Sequence, residues 1–337
     1  HQVQSGLKRT ARNLTQMNPS VIIRFSVPFE PNGMDFVKKQ FAVLGANGYL
    51  GRHLAAHLQS AGHSVTAYDL PSAAAPDGIC RRPLDITNSD SFDFVDTDVD
   101  ALFMFAGLTG THQGFDEYAR YLAVNELGLL HLLDLLRRRG HRPRIVFPSS
   151  RLVYRGRPEP LPEDAPKESK TVYAANKLAA EGYLQAYHAA FAIPYTVFRI
   201  CVPYGNRWKG PYSYGTIGAF IRMARDQKAI TLYGDGALRR TFSHVQDLCA
   251  QIEACVHLPA TNGQTYNVAG ETFSLRQVAE WIAERFGAGV RHAPWPERET
   301  AIESGDTVFD DSKIRALLSS PPRFNLRHWI DTADFSD

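Results

Sequence analysis

A doubly wound parallel α/β sheet, completed towards the C-terminus by a smaller α/β lobe, is the fold this sequence predicts. Three observations predict it. Short apolar runs of strand length alternate with helical stretches from Lys39 onward; the first run ends in a glycine-rich turn; and after about Pro203 the alternation gives way to dense Gly, Pro and aromatic residues. At 337 residues the chain is also long for a single core, so two lobes are the default.

In chain order, residues 1–37 come first as an N-terminal extension. They hold Lys8, Arg9, Arg12 and Arg24 with no acid before Glu30, the composition of a targeting segment. Because the chain starts at His1, a purification remnant followed by a short native extension is the reading adopted. Gln40–Leu44 is apolar and runs into glycine, as a strand buried on both faces does. Leu50, Leu54 and Leu58 then fall four apart on one helix face. Ser64–Tyr68 is the next strand, ending at Asp69, and further strands are predicted at Ala101–Phe105, Arg144–Phe147 and Tyr195–Ile200. Helices between them imply right-handed crossovers and a sheet covered on both sides. The helical stretch Tyr118–Arg139 carries Leu122, Leu127, Leu129, Leu130, Leu132, Leu133, Leu135 and Leu136 almost all round. Such a helix lies deep in a core or against another subunit, and a homodimer is expected. The dinucleotide-type domain is therefore placed at 38–202, resumed at about 243–269. The second lobe takes 203–242, with a helix from about Ile217 to Gln227, and 270–337.

Composition excludes several function classes. The net charge of +2, with Lys and Arg spread along the chain, produces no field for nucleic acid or an acidic membrane. It does favour approach of a small polyanion. Cys80, Cys201, Cys249 and Cys255 form no C-x-x-C pair and no zinc spacing, so no metal is expected; dispersed thiols fit the reducing cytoplasm. No apolar run reaches the ~18 residues a membrane span needs.

The strongest local signal is Gly45-Ala-Asn47-Gly48-Tyr49-Leu50-Gly51, between the first strand and the first helix. Glycine lets the backbone turn tightly and approach a pyrophosphate seated on the helix N-terminus, as in Rossmann-type folds. Asp69, 18 residues beyond Gly51, ends the next strand, where a carboxylate accepts hydrogen bonds from both ribose hydroxyls. No Arg directly follows it (Leu70, Pro71), which favours NAD over NADP. Further on, Tyr173 and Lys177 stand four apart on one helix face. A phenol that takes a proton from a hydroxyl needs a pKa below its usual 10, and a neighbouring ammonium lowers it. Upstream, Phe147-Pro-Ser149-Ser150-Arg151-Leu-Val-Tyr154 is a strand running into two hydroxyls.

These segments resemble, in order, those of the extended short-chain dehydrogenases/reductases, and in particular the UDP-galactose 4-epimerase-like branch. The match runs from about Gln40 to the end through the G-x-x-G-x-x-G loop, Phe105-Ala106-Gly107-Leu108, the Val-Asn125 pair, Tyr173-x-x-x-Lys177 and Arg199-Ile-Cys-Val-Pro-Tyr-Gly205. It continues through Gly234-Asp-Gly236 with Arg240-Thr-Phe-Ser-His-Val-Gln-Asp247, and through Tyr266-Asn-Val-Ala-Gly270. The resemblance implies bound NAD, held by the loop, Asp69, the Asp85-Ile86 pair, Phe105 to Gly107, Asn125, Ser149, Tyr173, Lys177 and Val202. It implies Tyr173 as base, Lys177 on the nicotinamide ribose and Ser150 on the reacting oxygen. A nucleotide sugar is the implied substrate, with Thr109, Ser150, Arg151 and Tyr173 around the sugar and Arg240 and Arg298 on the diphosphate. Related 4,6-dehydratases carry an Asp-Glu pair directly after the catalytic hydroxyl, where this chain has Arg151 and Leu152, and decarboxylases usually have a Glu nearby. An epimerase acting at C4 through a 4-keto sugar is thus expected; a 4-keto-sugar reductase and a non-catalytic NAD-binding sensor are the alternatives. Departures from the family pattern are Cys201 for Asn, Thr241 for Asp and Arg155 for Gly.

Overall fold

The computed structural model describes residues 37–71, 79–210 and 212–335, so the basic N-terminal stretch read as an extension lies outside the described residues but for Val37. Among the described residues there are twelve strands. They are β1 (Gln40–Leu44), β2 (Ser64–Asp69), β3 (Arg81–Pro83), β4 (Ala101–Met104), β5 (Arg144–Ser150), β6 (Tyr195–Ile200), β7 (Val202–Tyr204), β8 (Ile230–Tyr233), β9 (Arg239–His244), β10 (Gln264–Asn267), β11 (Glu271–Ser274) and β12 (Val290–Ala293).

Seven of them form one sheet in the order β10-β6-β5-β4-β1-β2-β3, with every pairing parallel. A sheet of this kind must be covered twice, and β1 shows how. Phe41 and Val43 face the helices Tyr49–Ser60 and Val245–Val256, where Leu54, Leu58, Leu248 and Ile252 pack. Ala42 and Leu44 face the opposite layer, built from the helices Gly128–Arg139 and Val172–Phe191. All four side chains are 0–2% exposed, which is why the run reads as continuously apolar. Strand order reverses between β1 and β4, and this opens a crevice beyond their carboxyl ends.

The leucine-rich stretch is a correction to the sequence reading. It comprises a short α-helix Tyr118–Leu122, a π-helical turn Ala123–Leu127 and the α-helix Gly128–Arg139. Leu129, Leu132, Leu133, Leu135 and Leu136 are buried within this chain, against the sheet and against Phe92 in the 3-10 turn Ser89–Phe94 and Val95 just after it. Two walls of the same core, rather than a second subunit, thus account for most of the leucines. Leu122 and Leu127 remain 42% and 49% exposed, beside Tyr118 at 61%.

The C-terminal lobe holds the small sheets β11-β9-β7 and β12-β8. The helices Gly215–Arg225 and Leu275–Phe286 pack on them, the latter opened by a reciprocal Ser274–Gln277 capping box. The first of these stops at Arg225, short of the predicted Gln227, whose φ of 55° is left-handed. Lys38–Asp337 form one compact unit that includes both the large sheet and this lobe.

Candidate active site

The crevice is built by the two turns that flank the switch point. After β1, Gly45 adopts φ 86°, and a Cβ there would lie 2.3 Å from the backbone nitrogen of Ala106, which follows β4. A Cβ on Gly51 would lie 2.1 Å from the carbonyl oxygen of Gly45. Both positions therefore require glycine, and the two turns pack backbone to backbone. The helix Tyr49–Ser60 opens at Gly48 with no side-chain cap, which leaves its first N–H groups for an anion. Asp69 accepts hydrogen bonds from the backbone N–H of Asn47 (2.6 Å) and of Leu70 (2.8 Å), so its carboxylate is held at the mouth of the same turn. A dinucleotide fits this cradle, with its pyrophosphate on Gly45–Gly51 and its ribose on Asp69.

A cavity at the carboxyl ends of the strands is lined by Leu50, Phe105, Gly107, Leu108, Thr109, Pro148, Ser149, Ser150, Tyr173, Lys177, Ile200, Cys201, Pro203 and Tyr214. It brings together the three predicted catalytic residues. Each is positioned by the sequence around it. β5 runs on to Ser150, so both hydroxyls stand at a strand end, and Ser150 then accepts the N–H of Leu152 to start the 3-10 turn Arg151–Val153. Thr171 caps the helix Val172–Phe191 through the N–H of Ala174 and sets Tyr173 in its first turn. Lys177 follows one turn later, buried, its Nζ donating to the carbonyl of Pro148 at 2.7 Å.

The electrostatics depart from expectation. Burial pushes the phenol of Tyr173 up, and a neighbouring Tyr214 adds to this, outweighing the hydrogen bond from Ser150 and the charge of Arg151, which lower it. Lys177 Nζ sits 5.7 Å from the Tyr173 ring centroid and donates to the Pro148 carbonyl, so its hydrogen bond is not to the phenol. Burial draws Lys177 itself down to about 8, while Glu181 pulls it back up.

Several groups were not legible in the sequence. Glu181, one turn beyond Lys177, accepts from Ser149 at 2.5 Å and is gripped by Arg199 through Nε (3.0 Å) and Nη2 (2.6 Å). Arg199 also donates to Tyr154, whose hydroxyl donates to Asn267. The signal was the i, i+4 spacing from Lys177. The π-helical turn is the second: its extra residue rotates Asn125 inward, where Oδ1 accepts the N–H of Leu108 and Nδ2 donates to the Leu108 carbonyl. Tyr214, read only as part of an aromatic-rich stretch, lines the cavity and stacks on Tyr49 with ring centroids 3.8 Å apart.

Other predicted residues go elsewhere. The side chain of Tyr49 turns to the C-terminal lobe, its hydroxyl donating to the carbonyl of Gly205. Val202 is buried in the lobe's core and Ile86 packs beneath Gly128, while Asp85 accepts from Thr87 in an exposed turn. Arg240, predicted on a diphosphate, is 2% exposed. Its Nη2 donates to Glu303 (2.8 Å) and its Nη1 to the carbonyls of Gly305 (2.7 Å) and Arg239 (2.9 Å). A bridge between Arg240 and Thr307 brings Glu303 there, and the guanidinium is spent inside the fold. Arg298 is exposed on the short helix Glu297–Ile302 and does not line the cavity. At the opposite, amino-terminal end of the sheet, His63, Glu253 and His257 place metal-capable atoms within 4.8 Å of one another. The Glu253 carboxylate is shared there by His57 (2.6 Å) and His63 (3.0 Å).

Fold and site define a dinucleotide-dependent enzyme with a Tyr-Lys-Ser constellation at a parallel-sheet switch point. Residues 41–269 match the NAD dependent epimerase/dehydratase family, and the chain belongs to it. A dTDP-glucose 4,6-dehydratase of Streptomyces niveus is 32% identical over 247 residues, covering 71% of this chain and 70% of the relative. A dTDP-L-rhamnose 4-epimerase of Burkholderia thailandensis is 28% identical over 286 residues, covering 73% and 77%. The structure of Thermus thermophilus UDP-glucose 4-epimerase in complex with NAD has the same fold, with a TM-score of 0.74 at 22% identity over 87% of this chain and 96% of that one. Among the described residues no helix is long and apolar enough to cross a membrane.

Proposed function

We propose that this chain is an NAD-dependent nucleotide-sugar epimerase, acting at C4 of the sugar through a transient 4-keto sugar. The observation that carries the reading is the convergence of Tyr173, Ser150, Lys177 and Thr109 on one cavity beside the glycine cradle. Support for epimerisation over dehydration comes from Arg151 and Leu152, which follow Ser150 and offer no acid–base pair to C5 and C6. Bound NAD would supply the two-electron exchange with the sugar carbon and a positive ring beside the phenol. Ser150 orients the C4 oxygen by hydrogen bonding. Tyr173 holds the proton of that oxygen, and its raised affinity for a proton suits it to return one to a carbonyl oxygen. Lys177 holds the nicotinamide ribose from its seat on Pro148. The four cysteines are unpaired, as in a cytoplasmic enzyme. Tyr118, Leu122 and Leu127 are exposed apolar side chains on one short stretch, and we propose that a homodimer forms through them.

The test is Tyr173→Phe. This variant should retain NAD through purification and lose turnover by about 10²–10⁴-fold. Turnover within a factor of three of the parent would remove Tyr173 from the chemistry.

A further inference from the structure

Arg151, Arg199, Arg239 and Arg240, none of which lines the cavity, differ in one respect. Arg199 is paired with Glu181, Arg239 with Asp306 (2.8 Å) and Arg240 with Glu303 (2.8 Å). Arg151 has no such partner: among the described residues no carboxylate pairs with it, and its guanidinium meets Thr307 Oγ1 at a long 3.4 Å. It is half-buried, in the position directly after Ser150, so a cation is held partly out of water beside the reacting groups. Its field reaches both the phenol of Tyr173 and the thiol of Cys201, and it lowers the pKa of each. Both of those residues line the cavity. A half-desolvated guanidinium left without an acid is a site for an anion brought by the ligand.

Geometry decides which anion. Ser150 and Tyr173 define where the reacting oxygen on C4 must lie. C4 has two ring neighbours, C3 with a neutral hydroxyl and C5 with its C6 substituent, and only C6 can be a carboxylate; the diphosphate hangs from C1 across the ring. An anion next to the reacting C4 is therefore one at C6, the position within reach of the residue that follows Ser150. We propose that Arg151 selects a sugar whose C6 is a carboxylate, so that the substrate class is the nucleotide-linked uronic acids, bound by a planar guanidinium–carboxylate pair. The inference rests on the C4 assignment of the proposed function.

The experiment compares UDP-glucuronate with UDP-glucose on the full chain, by turnover and, in the Tyr173→Phe background, by calorimetric titration. The titration reads selectivity without chemistry, so it separates failure of this inference from failure of the epimerase reading. The acid should be preferred by about 100-fold in kcat/KM and in affinity. Arg151→Met should bring that ratio close to one, chiefly through KM, and Arg151→Lys should restore part of it. Preference for the neutral sugar, or an equal loss for both sugars in Arg151→Met, overturns the proposal; the equal loss would assign Arg151 to the diphosphate.

Discussion

Replacing Glu181 with Gln tests how the site is held. The carboxylate is buried with Arg199, their side chains 5% and 6% exposed, and it bonds Ser149 at 2.5 Å. The substitution keeps the shape and removes the charge, leaving a buried guanidinium uncompensated. Breaking such a pair from one side costs about 3–5 kcal/mol. For a domain of this size, roughly 2 °C of Tm per kcal/mol makes that a fall of about 6–10 °C. A second consequence separates positioning from mere stability. Lys177, at about 8, is held up by Glu181 against burial, so loss of the negative charge moves it further down. The alkaline limb of the kcat/KM profile should then shift to lower pH. Urea unfolding monitored by circular dichroism and a pH–rate profile read the two effects. A loss below 1 kcal/mol with an unmoved alkaline limb would refute both the burial argument and the link from Glu181 to Lys177.

Three further outcomes follow from the same geometry. Gly45→Ala forces a left-handed φ on a residue with a Cβ and drives that atom into the backbone of Ala106. It should cost more than about 2 kcal/mol and abolish NAD retention, which the absorbance of heat-released nucleotide reports. Burial holds neutral His53 at about 4 and His244 at about 3, whereas unfolded histidine takes a proton below about 6.5. Their contribution is complete above pH 6.5 and is lost on acidification towards 4, by about 2 kcal/mol each at pH 5; a urea midpoint constant from pH 7 to 5 would contradict this. Leu122→Glu with Leu127→Glu should yield monomers in sedimentation velocity if the exposed patch is the dimer contact, and an unchanged sedimentation coefficient would exclude that patch.

What was legible in the sequence is local. β1, the glycine turn and Asp69 announce themselves because strand, turn and helix are contiguous, and Tyr173 and Lys177 because helical spacing alone puts them on one face. What was hidden depends on distant partners. Arg240 stands where the resemblance implies a cation for the diphosphate, yet Glu303 reaches it because Thr307 bridges to β9, and nothing near Arg240 in the sequence reveals this. Likewise, eight leucines on one stretch suggested a subunit contact, since a sequence cannot show that Phe92 and Val95 form a second wall of the same core. The π-helical turn escaped for a related reason. One inserted residue changes which side chains face inward without altering composition, so Asn125 turns in while Leu122 and Leu127 turn out.

The central claim is that NAD is retained and recycled within one active site. Proton NMR of the purified chain with UDP-, dTDP-, GDP- and CDP-sugars, with no cofactor added, tests it most directly. The account predicts that a C4 epimer appears from at least one nucleotide sugar. Reduction of a 4-keto sugar only when a reduced nicotinamide cofactor is supplied would contradict it and make the chain a reductase.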